Sequence, residues 1–250
     1  MQISVIMPCQ ILDQELFNLT QTAVLSLKGA WYYNPLIGGE VIIIDNNSEI
    51  GGGYLRQEAD IYIKNSKNIG YPASINQALA LAHYDCLVIA NNDIWVTPNW
   101  VNVVKEIFNK DEKVGSVHFR MIDYDKPFGY GDNMWITGKE RWCTSSFFVI
   151  KKEAMIKYDE NYGLGGYDDW SLWHQIRHIN GWKTAYTDKV CYKHAHSTTQ
   201  NKRDPKEREK SDRRNREYFK SKFGKYPEEI WNEKYPDQMV ANYFDFFETL

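Results

Sequence analysis

The chain has 250 residues, 43% of them hydrophobic and 25% charged, which suits one large α/β domain with its own core and excludes a disordered or fibrous chain. A formal net charge of −3 excludes a chain that binds polyanions over its whole surface. The charge is uneven, however: residues 200–225 carry eleven Lys and Arg against five Asp and Glu.

In chain order, residues 3–7 form a short apolar run stopped by Pro8, which predicts a buried strand. Leu16, Leu19, Ala23 and Leu27 recur at helical spacing over residues 15–27. Residues 40–45 are a second apolar strand, ending in Asp45, Asn46 and Asn47 and followed by a loop at Gly51, Gly52 and Gly53. A weaker strand at 61–63 precedes a helix over 72–84, with Ile75, Ala78, Leu79 and Ala82 as its buried face. Residues 86–90 are a third strong strand and end abruptly in Asn91, Asn92 and Asp93. Pro98 then opens a helix carrying Val101, Val104 and Phe108.

The second half is less regular. Strands are predicted at 114–119 and 145–150, helices at 168–179 and from Pro205 to Phe223 before Gly224. Strands alternating with helices predict a mostly parallel sheet covered on both faces, where ligands bind outside the carboxyl ends of the strands. Polar clusters fall at two of those ends, around Asp45 and around Asp93. Neither a phosphate-binding P-loop, nor a dinucleotide glycine fingerprint, nor a serine nucleophile elbow is present.

Cys9, Cys86, Cys143 and Cys191 lie far apart with no CxxC pair, so free and mostly buried thiols are expected. No apolar run approaches the ~20 residues that span a bilayer. The chain begins directly on a strand-like run without a leader, and the expectation is a cytoplasmic protein.

The order of the segments carries a resemblance. The runs 3–8, 41–48, 68–76 and 87–93 with Pro98 come first; then 145–151, 158–160, 165–170, Lys193 with His194, and 215–224. Together they resemble the family 2 glycosyltransferases over residues 3–224. The resemblance implies a GT-A type fold: a mostly parallel, Rossmann-like α/β sheet flanked by helices, with a C-terminal helical appendage. The catalytic domain would occupy residues 1–200, its donor half about 1–98 and its acceptor half about 99–200, with a tail over 201–250 packed on it.

It also implies an inverting transfer from a UDP- or dTDP-type nucleotide sugar to an acceptor hydroxyl, assisted by a divalent metal (Mn or Mg). Pro8, Asp45, Asn68, Asn91 and Asn92 would contact the donor, Asp45 through its uridine-like part. Asn91, Asn92 and Asp93 stand at the family's DXD motif, with Asn91 replacing the first Asp. A neutral amide binds a cation less strongly than a carboxylate, so the departure bears on metal affinity. Asp93 would be the chief metal ligand and His194 a second, with His196 two residues on.

Asp168 and Asp169 match the family's acidic pair, whose second member takes the acceptor proton. The same pair also suits the first turn of a helix on dipole grounds. The aromatic stretch 124–142 would shape an acceptor pocket, and the basic stretch 202–216 would close on donor phosphates or face an acidic acceptor. A glycan acceptor is expected. Hydroxymethylated bases of phage DNA are the less favoured nucleic-acid alternative, beside a catalytically idle nucleotide-sugar-binding relative and a nucleotidyltransferase.

Overall fold

The computed structural model describes residues 1–32, 37–137, 145–195 and 204–234. His196, Cys143 and parts of the 124–142 and 202–216 stretches lie outside the described residues. The described chain builds a nine-stranded sheet from β1 (Gln2–Cys9), β2 (Gly38–Asp45), β3 (Ile61–Lys64), β4 (Cys86–Ala90), β5 (Ile94–Val96), β6 (Val114–Asp123), β7 (Met134–Thr137), β8 (Phe147–Lys151) and β9 (Lys183–His194). The spatial order is β3-β2-β1-β4-β8-β6-β9-β5, and β7 pairs with β9. The strands β3, β2, β1 and β4 are mutually parallel; β6 and β9 run the same way, while β5, β7 and β8 oppose them.

The largely apolar runs of β1, β2 and β4 have a simple cause. Ile3, Val5, Met7, Val41, Ile43 and Val88 enter one core, while Ile6, Ile42, Ile44, Leu87 and Ile89 enter another. Successive side chains point to opposite faces, so a sheet buried on both sides needs apolar residues at every position. The first face is covered by α1 (Gln14–Tyr32) and α4 (Trp100–Lys110). The second is covered by α3 (Tyr71–Leu79) and α5 (Asp168–His174). Each fully buried Ile or Val contributes about 1.5–3 kcal/mol by leaving water.

Several sequence expectations need correction. The first strand does not stop at Pro8 but runs to Cys9, with Pro8 opposite Ile44. Its pairing with β4 ends at Ile6, so Pro8 has only one strand neighbour, and its missing N–H is tolerated there. The glycine loop is the start of α2 (Gly52–Glu58), which buries Leu55. The helix expected to reach residue 84 ends at Leu79, and the chain turns so that the His83 N–H donates to Glu40 Oε1 at 2.7 Å. The helix expected over 168–179 is α-helical to His174 and then widens into a π-helical turn, Gln175–Ile179.

Strands β5, β7 and β9 and helix α2 are absent from the sequence reading. So is α7 (Pro227–Lys234), which follows α6 (Pro205–Phe223). Helix α6 matches its predicted bounds, with Gly224 in the left-handed conformation at its end.

Among the described residues, no helix is long and apolar enough to cross a membrane. Cys9, Cys86 and Cys191 are free and buried.

Candidate active site

The strand order reverses at β1, which has β2 and then β3 on one side and β4 on the other. The crevice at the carboxyl ends of these strands is where ligands bind in such sheets.

On the β2 side, Asp45 is fully enclosed, at 0% exposure. Its Oδ1 accepts from the Ser48 N–H at 2.7 Å and its Oδ2 from the Tyr62 hydroxyl at 2.6 Å. The loop is tied further by the Ile11 N–H, which donates to Ser48 Oγ. Asp45 therefore organises the loop, and only its remaining lone pairs are left for a ligand. Asn68 donates to Gln10 Oε1 at 2.7 Å and accepts from the Gly70 N–H at 2.8 Å, which joins the residues after β1 to the start of α3. Pro8 sits inside β1, one residue before Cys9, which pairs with Asp45.

Asn91, Asn92 and Asp93 form the short link between β4 and β5. Strand β5 pairs antiparallel with the end of β9, Ile94 opposite His194. This pairing brings His194 Nε2 to 3.1 Å from Asp93 Oδ1, with Asp93 5% and His194 8% exposed. The Asn91 amide lies 3.4 Å from the same imidazole nitrogen. The Asn92 amide donates to Thr20 on α1 at 2.9 Å, so it is engaged by the helix that covers the other face. The three consecutive residues thus divide: Asn91 and Asp93 meet His194, and Asn92 secures the turn.

Across the crevice, Asp168 and Asp169 open α5 after a loop of left-handed residues: Gly165 (φ 117°), Gly166 (φ 94°) and Tyr167 (φ 65°). Asp168 Oδ1 accepts from the Gly166 N–H at 2.6 Å, and Asp169 Oδ1 from the Trp170 N–H at 2.8 Å. Burial pushes both carboxyl groups well above the usual aspartate range, and for Asp169 the neighbouring Asp168 charge adds to it. Such a group holds its proton more strongly, and as an anion it is a better base than an exposed aspartate.

Tyr71, at the start of α3, joins the two sides. Burial raises its phenol pKa well above the usual value, and the charges of Asp168, Asp169 and Asp93 all add to the rise. Its hydroxyl donates to the Ser145 carbonyl at 3.0 Å. Ser145 Oγ accepts from Trp173 Nε1 on α5 at 3.3 Å, and the Ser146 carbonyl accepts from the Asn91 N–H at 2.8 Å. Ser145 and Ser146, just before β8, therefore link the link after β4 to both helices. Sequence reasoning placed these serines and Tyr71 in motifs without assigning them a role. Their work lies in contacts between residues 28 to 74 positions apart, which no local pattern encodes.

The loop approach is tight. A Cβ built on Gly70, whose φ is +90°, would sit 2.1 Å from the Gly163 carbonyl oxygen. Gly70→Ala is expected to lose about 2–4 kcal/mol of stability through backbone strain and overpacking. A lower urea unfolding midpoint at unchanged m-value would register the loss; an unchanged midpoint would contradict the packing described.

A divalent metal fits the groups on the β4 side. Among the described residues no cluster of three or more His, Cys, Asp or Glu is placed to hold a metal by itself. Asp93 and His194 offer one carboxylate and one imidazole side by side, with the Asn91 amide beside them. This is an incomplete mixed oxygen and nitrogen set, of a kind that a divalent cation takes only when further oxygen ligands complete it.

A family profile for glycosyl transferase family 2 matches residues 4–166. Similar solved structures include S. aureus TarS 1–349, with a TM-score of 0.61 at 13% identity, covering 78% of this chain and 60% of that one. The complex of TarS 1–349 with UDP-GlcNAc matches with a TM-score of 0.62 at 11% identity, covering 82% of this chain and 62% of that chain. GalNAc-T7 with UDP, GalNAc and Mn2+ matches with a TM-score of 0.57 at 13% identity, covering 77% of this chain and 43% of that chain. Among curated sequences no match is found.

These likenesses define the GT-A class of fold: a sheet of mostly parallel strands flanked by helices, with C-terminal helices. The chain belongs to glycosyl transferase family 2. It spans about 60% of the TarS 1–349 chain. Asp168, Asp169, His194 and α6 lie beyond the matched residues.

Proposed function

We propose that the chain moves a sugar from a UDP- or dTDP-type nucleotide-diphosphate sugar to an acceptor hydroxyl with inversion at the anomeric carbon. The observation that carries the reading is the meeting of Asp93 and His194 at 3.1 Å, with Tyr71 within electrostatic reach of Asp93 and of the Asp168–Asp169 pair alike. In-line displacement needs those two functions on opposite sides of the anomeric carbon: charge neutralisation at the leaving diphosphate and a base at the attacking hydroxyl.

Asp45, with Pro8 of β1 and the Asn68 loop, would contact the nucleoside part of the donor. Asp93, His194 and Asn91 would hold a divalent metal against the diphosphate, where a metal supplies Lewis-acid stabilisation of the leaving charge. Asp169 takes the acceptor proton, and Asp168, fixed by Gly166, orients it. The UDP, UDP-GlcNAc and Mn2+ in the names of similar structures support this donor class and this metal.

For the acceptor, a glycan is the reading we favour. Cations of α6 that would serve a nucleic acid are in part already partnered, Arg213 with Glu209, Arg216 with Glu228, and Lys222 with Asp159. One observation favours a second reading, an idle nucleotide-sugar-binding relative: the first position of the DXD-like motif is the neutral Asn91.

The test is thermal stability against a panel of UDP- and dTDP-sugars, each with Mn2+, Mg2+ or chelator. A donor at about 100 times its dissociation constant should add ~2.7 kcal/mol of stability. A shift that one nucleotide sugar gives only with metal is the expected result; no shift with any member would overturn the donor assignment.

A further inference from the structure

We propose that Asn215, on the C-terminal helix α6, is the positioning residue for the acidic pair: it grips the loop that delivers Asp168 and Asp169 into the site. The inference rests on the reading of that pair as the site's base. Asn215 is fully buried, at 0% exposure. Its Nδ2 reaches the carbonyls of Tyr162 at 3.0 Å, Gly165 at 2.9 Å and Gly166 at 2.9 Å. Those carbonyls run from the end of the 3-10 turn Glu160–Tyr162, where Tyr162 also accepts from the Gly165 N–H at 3.3 Å, to the left-handed Gly165 and Gly166 before α5. The next link is direct: Gly166, held through its carbonyl, donates its own N–H to Asp168 Oδ1 at 2.6 Å.

The amide is itself aimed. Arg214 Nε and Nη2 donate to Asn215 Oδ1 at 3.1 and 2.7 Å, which leaves the nitrogen turned toward the loop. One turn earlier on α6, Asp212 presses on Gly166, where a Cβ would lie 2.9 Å from its Oδ1. Buried Phe219 packs with Tyr162 and Tyr167 in a small separate core, and Lys222 pairs with Asp159 at 2.7 Å. The helix is thus fastened to this segment along its length, and Asn215 is the point where the fastening reaches the backbone of the acidic loop. Such a clamp preorganises the carboxylates, so that turnover does not wait for the loop to find its shape.

The titrating groups facing the pair are the phenols of Tyr71, Tyr158, Tyr162 and Tyr167, with Asp212 and Arg214 on the α6 side of the loop. The experiment compares Asn215→Ala, Arg214→Ala and Asp169→Asn with the parent chain, each checked for folding by its thermal transition. One readout is carboxyl-carbon NMR titration of Asp168 and Asp169, which needs no donor. The other is UDP released from UDP-GlcNAc with Mn2+, beside UDP affinity.

In Asn215→Ala the pair should titrate closer to ordinary aspartates, because a loosened loop admits water. UDP release should fall on the order of 100-fold while UDP affinity is unchanged. Arg214→Ala should move both readouts the same way by less, and it decides the matter if Asn215→Ala does not fold. Parent-like titration and turnover in a folded Asn215→Ala chain, or parent-like titration in Arg214→Ala should the former not fold, would overturn the proposal. Full turnover in Asp169→Asn would instead remove the base assignment, and the titration would still report whether Asn215 holds the pair.

Discussion

Asp169→Asn is expected to lower turnover by about 10²- to 10⁴-fold, the range lost with a positioned general base. Metal-dependent donor binding should survive, because Asp45, Asp93 and His194 are untouched. The same substitution is expected to raise the melting temperature at neutral pH. Burial, and for Asp169 the Asp168 charge, raise the folded-state pKa values of the pair above those of the unfolded chain. The folded state therefore binds these protons more tightly, and the stability they contribute is complete below the usual aspartate range. It is lost as pH rises through the raised folded values. An amide never ionises and escapes that loss.

The two effects together separate catalysis from scaffolding. A variant that is more stable, binds donor and does not turn over identifies a base held at the expense of stability. A variant that turns over at the parent rate would end the assignment, and a parent chain that binds donor without turning it over would favour the idle-relative reading. The pH–rate profile has the matching sign: activity should fall on the acid side through the raised carboxyl titration, where protonation removes the base.

Asp93→Ala should abolish the metal-dependent part of donor binding. It removes the carboxylate that lies 3.1 Å from His194 Nε2, leaving the imidazole and the neutral Asn91 amide of this group. If donor affinity falls by about 100-fold, stabilisation at an unchanged donor concentration drops from ~2.7 to ~0.4 kcal/mol. The parent in chelator should then match the variant in Mn2+. A variant that keeps its full metal-dependent shift would show that the cation is held elsewhere. Because Asn91 replaces an acid, Asn91→Asp is the informative companion and should strengthen Mn2+ dependence, since a carboxylate is the better hard ligand.

Much of the first half is legible from residue order. The runs in β1, β2 and β4 are apolar at most positions, Ser4 and Glu40 being bonded to each other, and that pattern requires a sheet covered on both faces. Asp45 and Asp93 follow such runs directly, so their place at the carboxyl edge follows from chain direction alone. The boundaries that failed did so for local reasons. Pro8 reads as a stop, yet it stands where β1 has already lost one partner. Three glycines read as a loop, yet Gly51 turns the chain and α2 starts behind it.

The second half hides its strands because their stability comes from partners rather than composition. Strand β9 contains Lys, Thr and Asp and shows no clean alternation; it also carries a bulge where residue pairing shifts from Phe119–Thr187 to Arg120–Cys191. Strand β5 is three residues long and exists only because β9 pairs with it.

What the sequence by itself determined, then, was the class of fold and the acidic residues at its edge, since burial on two faces writes itself into every position of a strand. Which of those residues meet was decided by tertiary structure alone. His194 reaches Asp93 only through the β5–β9 pairing, and Asn215 reaches the acidic loop only because α6 folds back onto it. Hydrogen bonds between such distant residues are set by the packing of whole elements, and neither periodicity nor spacing along the chain carries that information.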